Sequence, residues 1–363
     1  MPVSDHTDAE SWLRLALIPG LGSATLRKLL AEFGSPERVL AARGADLGTR
    51  VDGEVRTQIM AGGNAADAQN TLGWLEEPAN HLVTLADPEY PQLLLQTADP
   101  PPLFYVKGQL ELLNRPSLAV VGSRNASAQG IASAEEFARN LSDAGITIVS
   151  GLALGIDAAA HRGGLAGAAR SIAIVGTGLD IVYPARNRDL AHELAAKGAL
   201  MSEFPLGTPA IGSNFPRRNR VISGISRGCL VVEAALESGS LITARFANEQ
   251  GREVFALPGS IHSPLAKGCH ALIKQGAKLV DSASDILEEL HLASTMPAAR
   301  ELSPDLDPEA AQLLERMGYE PCDLDTLCAR LDAGPDRLAA LLLKLELQGL
   351  VECLPGGRYQ RAR

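Results

Sequence analysis

Short apolar runs, each followed by a glycine-rich or polar turn and then by an amphipathic stretch, recur through the middle of the chain. SLAVV (117–121) leads into GSRNASAQG and a helix expected from about Ile131 to Ala144. ITIVS leads into GLALG and a helix from Ile156 to about Ala166. SIAIVG leads into TGLDIVYPARN and a helix from Arg188 to Lys197. ALMSEFP runs into an arginine-rich stretch, CLVVEA into ESGSLITARFANEQG, EVFALPG into a Gly-rich loop, and AKLV into a last helix, SASDILEEL. Runs that are apolar throughout predict strands buried on both faces. Repeated βα units of this length predict a parallel, doubly wound α/β sheet. In such sheets ligands collect beyond the carboxyl ends of the strands, where the strand order reverses. Every loop named here follows a strand and projects from that edge.

The flanks follow other patterns. Residues 10–42 give two helical periodicities around Ile18-Pro19-Gly20-Leu21-Gly22, with Ser23 placed to cap the second. This predicts a helix-hairpin-helix in a helical domain over residues 1–80. Its glycine turn can offer backbone N–H groups to a phosphate, with Arg27 and Lys28 nearby, or the hairpin can be purely structural. DPEYPQLLLQTADPPPLFYVKG is proline-rich and reads as a linker into an edge strand, Leu103 to Val106. The α/β core is placed at 81–291, a Pro- and Ser-containing linker at 292–308, and a C-terminal domain at 309–363. There EAAQLLERMG, DLDTLCARL and PDRLAALLLKLELQGL predict three short helices, and VECLPGGRYQR a hairpin with a Pro-Gly-Gly turn, the pattern of a winged helix. Its supposed recognition helix, Pro335 to Gln348, sets Arg337 and Lys344 against Asp336 and Glu346. That neutrality favours an accessory role over gripping a duplex, although the basic tail Arg358 to Arg363 argues the other way.

Composition narrows the class. With 363 residues, 46% hydrophobic and 21% charged, the chain has length for two or three domains. It has no apolar run of about 18 residues, so no membrane association is expected. The polar, acidic N-terminus is unlike a secretory signal. Five scattered cysteines (229, 269, 322, 328 and 353) lack zinc or redox spacing and suit a reducing cytoplasm. A net charge of −10 excludes a surface coated in basic charge, but not a nucleic-acid binder with positive charge confined to one groove.

Against that acidic background, Leu206 to Gly228 holds Arg217, Arg218, Arg220 and Arg227 and no acidic residue. Guanidinium groups beside glycines and serines suit a row of phosphates, unless they form a solvated basic face. A dinucleotide is not indicated. Gly122-Ser123-Arg124 lacks the G-x-G-x-x-G spacing, the second strand ends Val149-Ser150-Gly151 without an acidic residue, and there is no P-loop.

GSR at 122–124, SGLALGIDAAAH at 150–161, GTGLDIVYPARN at 176–187 and FPRRNRVISG at 215–224 occur in that order. VVEAALESGSLITA at 231–244, REVFALPG at 252–259 and KGCHALIKQGA at 267–277 complete the set. Together these loops resemble the DNA processing protein A family (DprA, also called Smf) over essentially the whole core. The resemblance implies an extended Rossmann-like fold that dimerises, with a small N-terminal helical domain and a C-terminal winged-helix-like domain. It implies a cytoplasmic protein of natural transformation that binds incoming single-stranded DNA without reading sequence, shields it from nucleases and loads the RecA recombinase. No cofactor, metal or catalytic residue is implied.

On the residues, Arg124 is expected at the amino end of a helix, adding its charge to free N–H groups. Arg217, Arg218 and Arg220, with Asn219, are placed to grip successive phosphates, and Lys267-Gly268 to open another loop at the same edge. Gly122, Ser123, Ser150, Gly151, Ser238, Gly239 and Ser240 let a strand approach closely. Phe215 either stacks on a base or anchors its loop. The competing reading is an enzyme. Asp157 and His161 lie four apart on one helical face, and Asp180, Glu203 and Glu233 lie near strand ends. A related fold serves nucleotide phosphoribohydrolases of the lysine-decarboxylase-like family, whose P-G-G-x-G-T-x-x-E loop carries a catalytic glutamate. Here the comparable segment, Glu237 to Arg245, has no glutamate after its threonine. Asp157 and His161 also suit a pair that fixes a turn.

Overall fold

A computed structural model describes residues 6–292, 307–318, 321–331 and 333–361. The apolar runs form strands: β1 (Asn80–Thr84), β2 (Leu103–Gly108), β3 (Ser117–Val121), β4 (Thr147–Ser150), β5 (Ser171–Ile174), β6 (Ala199–Ser202), β7 (Gly228–Val231), β8 (Glu253–Ala256) and β9 (Lys278–Leu279). They make one sheet in the order β1-β2-β6-β5-β4-β3-β7-β8-β9. From β6 to β9 all neighbours are parallel, while β1 and β2 run antiparallel at one side. The chain steps from β3 through β4 and β5 to β6, then returns across the sheet to β7 on the other side of β3. That reversal places the switch point at the carboxyl ends of β3, β4 and β7.

The absence of polar alternation in the strands has a direct cause. Leu118 and Val120 pack with Phe137, Leu141 and Ile286 on one face, whereas Ala119 and Val121 pack with Val221, Ile222 and Ala247 on the other. Each large aliphatic side chain removed from water in this way contributes about 1.5–3 kcal/mol. The helix expected from Ile131 begins at Ala128, because the Ser127 hydroxyl accepts from the Gly130 N–H and caps it.

Four sequence expectations are corrected. Leu103 to Val106 is not an edge: β1 pairs with β2 and covers it. FPRRNRVISG is not a loop but lies in a helix, Asn214–Ile225, whose Val221, Ile222 and Ile225 anchor it to the sheet. Pro216 sits in its first turn, where the missing N–H is harmless. Lys267 likewise opens a helix, Lys267–Lys274, not a loop. Ser23 begins the helix Ser23–Phe33 as its first residue, with Gly22 at the cap position.

The N-terminal helices have a core of their own, including Leu15, Ile18, Leu29 and Ile59. They are also joined to the sheet, for Trp12 and Ala68 share a cluster with Leu103 and Tyr105 of β2. The C-terminal part has helices Pro308–Met317, Leu324–Leu331 and Pro335–Leu347 and a small sheet of β10 (Cys322–Asp323), β11 (Val351–Leu354) and β12 (Arg358–Arg361). It is a winged-helix domain. Arg337 pairs with Glu309, and Lys344 lies 3.6 Å from Asp307, so both cations of the third helix have carboxylate partners. Nearly all of the expected linker, and the last two residues of the basic tail, lie outside the described residues. Among the described residues no helix is long and apolar enough to cross a membrane.

Candidate nucleic-acid interface

At the switch point lies a cleft of about 720 Å³. Nine of the sequence-predicted positions line it: Gly122, Ser123, Arg124, Phe215, Arg218, Asn219, Ser238, Gly239 and Ser240. The loop after β3 enters it under tight constraint. Ser123 donates its N–H to the Glu233 carbonyl at 2.7 Å and accepts from Ile156 N at 3.1 Å. Gly155, at φ +73°, brings its backbone so close to the Ser123 carbonyl that a Cβ would collide with it. Two helices, Asn214–Ile225 and Ser240–Glu249, begin at the cleft with no side-chain cap. The positive ends of their dipoles favour an anion there. Asn219 ties the two together by donating to the Gly239 carbonyl at 3.3 Å.

Arg124 is exposed, and its guanidinium carbon lies 5.7 Å from the centroid of the Phe215 ring. Behind Phe215 stands Tyr183, with ring centroids 5.5 Å apart and planes tilted by 36°. A cation and two rings thus form a continuous platform at the cleft. Tyr183 was missed in the sequence reading, although it lies within GTGLDIVYPARN. The available signal was an aromatic residue in a strand-following loop, and Tyr183 is 45% exposed.

The arginine run does not act as a unit. Arg217 is exposed but turns away from this cleft, lying 5.2 Å from the Phe204 ring. Arg220 binds Glu203 at 2.5 Å and the Asp99 carbonyl at 2.6 Å. Arg218 is 5% exposed and lies in the cleft floor. It donates to the Gly151 carbonyl at 2.5 Å and to the Ile174 carbonyl, bolting the ends of β4 and β5 together. Burial lowers its pKa to about 10, a value still far above neutrality, and the charge of Asp157 supports it. Gly151 is required by this arrangement, since a Cβ there would strike the Arg218 guanidinium.

Three more predicted positions are structural in their geometry. Ser150 is fully buried and donates to the Val120 carbonyl at 2.6 Å. Gly268 donates its N–H to the Ala234 carbonyl at 2.7 Å and leaves no room for a side chain against it. Lys267 donates to the Ile261 carbonyl and does not line the cleft.

Asp157 and His161 do not form a dyad. Asp157 accepts the N–H groups of Gly151 and Ala153 at 3.1 and 3.3 Å. Burial raises its pKa, while the Arg218 charge and those N–H donors oppose the rise. His161 is fully buried. Its Nε2 accepts from Leu152 N at 3.3 Å, which leaves Nδ1 to donate to Ser171 Oγ at 2.8 Å; Ser171 in turn donates to the Ile148 carbonyl. Both imidazole nitrogens are committed in the neutral form, and burial, with the nearby Arg218 and Arg162 charges, lowers the pKa to about 3. Glu233 accepts from the Ser127 N–H and hydroxyl at 2.9 and 2.6 Å, with its pKa raised by burial. Among the described residues no group of His, Cys, Asp and Glu could hold a metal ion.

Residues 81–291 match the family described as DNA recombination-mediator protein A, and residues 297–357 match the DprA winged helix domain. The chain belongs to the DprA family. Over 364 aligned residues it is 42% identical to Protein Smf of Escherichia coli, covering 98% of this chain and 96% of that one. It is 47% identical to the DNA processing protein DprA of Streptococcus pneumoniae over 206 residues, 57% of this chain and 73% of that one. The X-ray structure of DprA from Streptococcus pneumoniae superposes with a TM-score of 0.68 at 37% identity, covering 80% of this chain and 99% of that one. DNA processing protein A from Helicobacter pylori, whose structure is described as giving insight into its single-stranded DNA binding mode, superposes at 0.53 with 27% identity, over 58% and 95%.

Proposed function

We propose that this DprA-family protein binds single-stranded DNA, without reading its sequence, in the switch-point cleft. The observation that carries the proposal is the platform of Arg124, Phe215 and Tyr183 beside two uncapped helix starts. Bases stack on rings whatever their identity, and phosphates suit Arg124 and the positive ends of the two helices. The H. pylori relative, described by its mode of single-stranded DNA binding, supports the same ligand. The finer role is protection of incoming DNA and loading of RecA recombinase during natural transformation, with the protein working as a homodimer and without catalysis. The family supports that role. The engaged states of Asp157 and His161 fit binding better than hydrolysis.

Arg124 and Phe215 are the primary contacts; Gly122, Ser123, Asn219, Ser238, Gly239 and Ser240 shape the cleft. Arg218, Ser150 and Gly151 build its floor, and Arg217, Arg220, Lys267 and Gly268 act outside it.

The test is binding of labelled poly-dT and of a matched duplex by the wild type, Arg124→Ala and Phe215→Ala. Poly-dT should bind more tightly than duplex, and Phe215→Ala should lose about 1–3 kcal/mol of strand binding. RecA filament assembly on coated strands, followed with and without the protein, tests the loading role. Cleavage of a nucleoside monophosphate without strand binding would replace this reading with the hydrolase one.

A further inference from the structure

Glu233 stands just beyond the carboxyl end of β7 and does not itself line the cleft. It is bonded to both ends of the loop that carries Arg124. Its backbone carbonyl accepts the Ser123 N–H at 2.7 Å. Its carboxylate accepts the Ser127 N–H at 2.9 Å and the Ser127 hydroxyl at 2.6 Å. Between these two anchors Arg124 and Asn125 are exposed and line the cleft. A Cβ on Gly130 would lie 2.4 Å from the Glu233 carboxyl carbon, so glycine lets the carboxylate rest on the start of the helix Ala128–Asp143. The Ser127 oxygen accepts from the Gly130 N–H at 3.0 Å, which leaves its own proton for Glu233. An ionised carboxylate fits both Ser127 donors, because each of its oxygens only accepts. A protonated carboxyl or an amide has one accepting oxygen too few.

By charge alone, a carboxylate beside an anion site weakens binding. By holding the Arg124 loop it acts in the reverse sense. We propose that Glu233 is a positioning residue for strand binding, whose carboxylate pins Ser127 and thereby fixes Arg124 and Asn125 in the cleft. This rests on the reading of the cleft as the single-strand site.

A pH dependence follows. Burial raises the Glu233 pKa, and the bonds from Ser127 oppose the rise. The titratable and charged groups around it are Cys269, close enough to feel its charge, and His262 and Arg358, which share with it a cavity of about 680 Å³. As the pH falls through the raised pKa, the carboxylate takes a proton, the clamp loosens and strand affinity drops. A proton on His262 adds positive charge and acts in the opposite sense. A carboxyl whose pKa is raised on folding holds its proton more tightly in the folded chain, so its ionisation near neutrality works against folding. The neutral isostere Glu233→Gln should therefore keep the fold.

The test is poly-dT binding from about pH 8 to about pH 5, a range in which poly-dT itself does not titrate. The proteins are the wild type, Glu233→Gln, Ser127→Ala, Arg124→Ala and the Glu233→Gln/Arg124→Ala double variant, with a urea midpoint for each. We expect Glu233→Gln to bind about two- to tenfold more weakly at the alkaline end, the equivalent of one net hydrogen bond, with its urea midpoint unchanged or higher. Ser127→Ala should weaken binding to a similar extent. Wild-type affinity should fall toward that of Glu233→Gln as the pH drops, while the affinity of Glu233→Gln does not fall. In the Arg124→Ala background Glu233→Gln should have no further effect, because the two act as one unit. Binding by Glu233→Gln as tight as the wild type or tighter, the result that charge alone predicts, would overturn the proposal. So would an equal loss with Arg124 present or absent. If Arg124→Ala leaves poly-dT binding intact, the cleft reading itself fails, and this proposal with it.

Discussion

Adjacent residues of one arginine run carry different duties, and substitution separates them. Arg124 is exposed at the cleft, whereas Arg218 is buried with Asp157 as its counter-charge. Arg218→Ala should cost about 3–5 kcal/mol of stability, because it strands a buried carboxylate and frees two carbonyls. Arg124→Ala should change stability by no more than about 0.5 kcal/mol while weakening poly-dT binding. Urea midpoints and binding isotherms on the same preparations check both; equal stability losses would dissolve the distinction. His161 gives a pH signature. The unfolded chain takes up its proton near pH 6.5 and the folded chain only near 3, so in between the unfolded state holds the extra proton. Its contribution is complete above pH 6.5 and is lost as the pH falls toward 3, at about 1.4 kcal/mol per pH unit. Asp157, with its pKa raised, titrates in the opposite sense and is common to both proteins compared. His161→Asn should therefore be less stable at pH 7 yet show a flatter acid decline from pH 6.5 to 5. Parallel declines would assign the acid sensitivity elsewhere.

At the scale of elements, the helix Asn214–Ile225 joins three parts of the molecule. Arg218 holds the ends of β4 and β5, Phe215 enters the cleft, and Arg220 joins Glu203 and Asp99. Arg27 of the N-terminal domain completes that network, donating to Asp99 at 2.5 Å and to the Pro100 carbonyl at 2.7 Å. Arg27→Ala should weaken the seating of the helical domain by about 1–2 kcal/mol, seen as roughly 5–30-fold faster amide exchange in Ser23–Phe33. Poly-dT binding in the cleft should stay unchanged; a matching loss there would mean that the domain helps to shape the cleft. The sequence made the strands and most core helices legible, because burial on both sheet faces leaves an unmistakable apolar run. It could not reveal which arginine of 217, 218 and 220 faces the cleft. That depends on about 100° of rotation per residue around one helix, and on carbonyls and carboxylates contributed by Gly151, Ile174, Asp99 and Glu203 from distant parts of the chain. β1 was hidden for a related reason: its value lies in pairing with β2, not in its own periodicity.

For the whole molecule, charge and groove architecture set how binding responds to salt. The chain carries 33 Lys and Arg against 43 Asp and Glu, so its general field repels DNA. Within the cleft, Arg124 is the exposed cation among the lining residues, while Arg218 is buried and Glu237 adds a carboxylate to the lining. Much of the attraction must then come from helix dipoles and ring stacking, which release few counterions. If one to three phosphates are engaged at each site, the log–log salt slope for poly-dT should be about −0.7 to −2. Duplex DNA, with its bases inaccessible to Phe215 and Tyr183, should lose the stacking contribution and bind more weakly at every salt concentration. Fluorescence anisotropy from 50 to 400 mM salt measures both strands under the same conditions. Arg124→Ala should make the slope shallower by about 0.7, the value of one phosphate, whereas Phe215→Ala should lower affinity without changing the slope. A wild-type slope much steeper than −2 would show that the strand runs beyond the cleft onto other basic residues. In that case the arginines at 186 and 188, exposed beyond Tyr183, become the next substitutions.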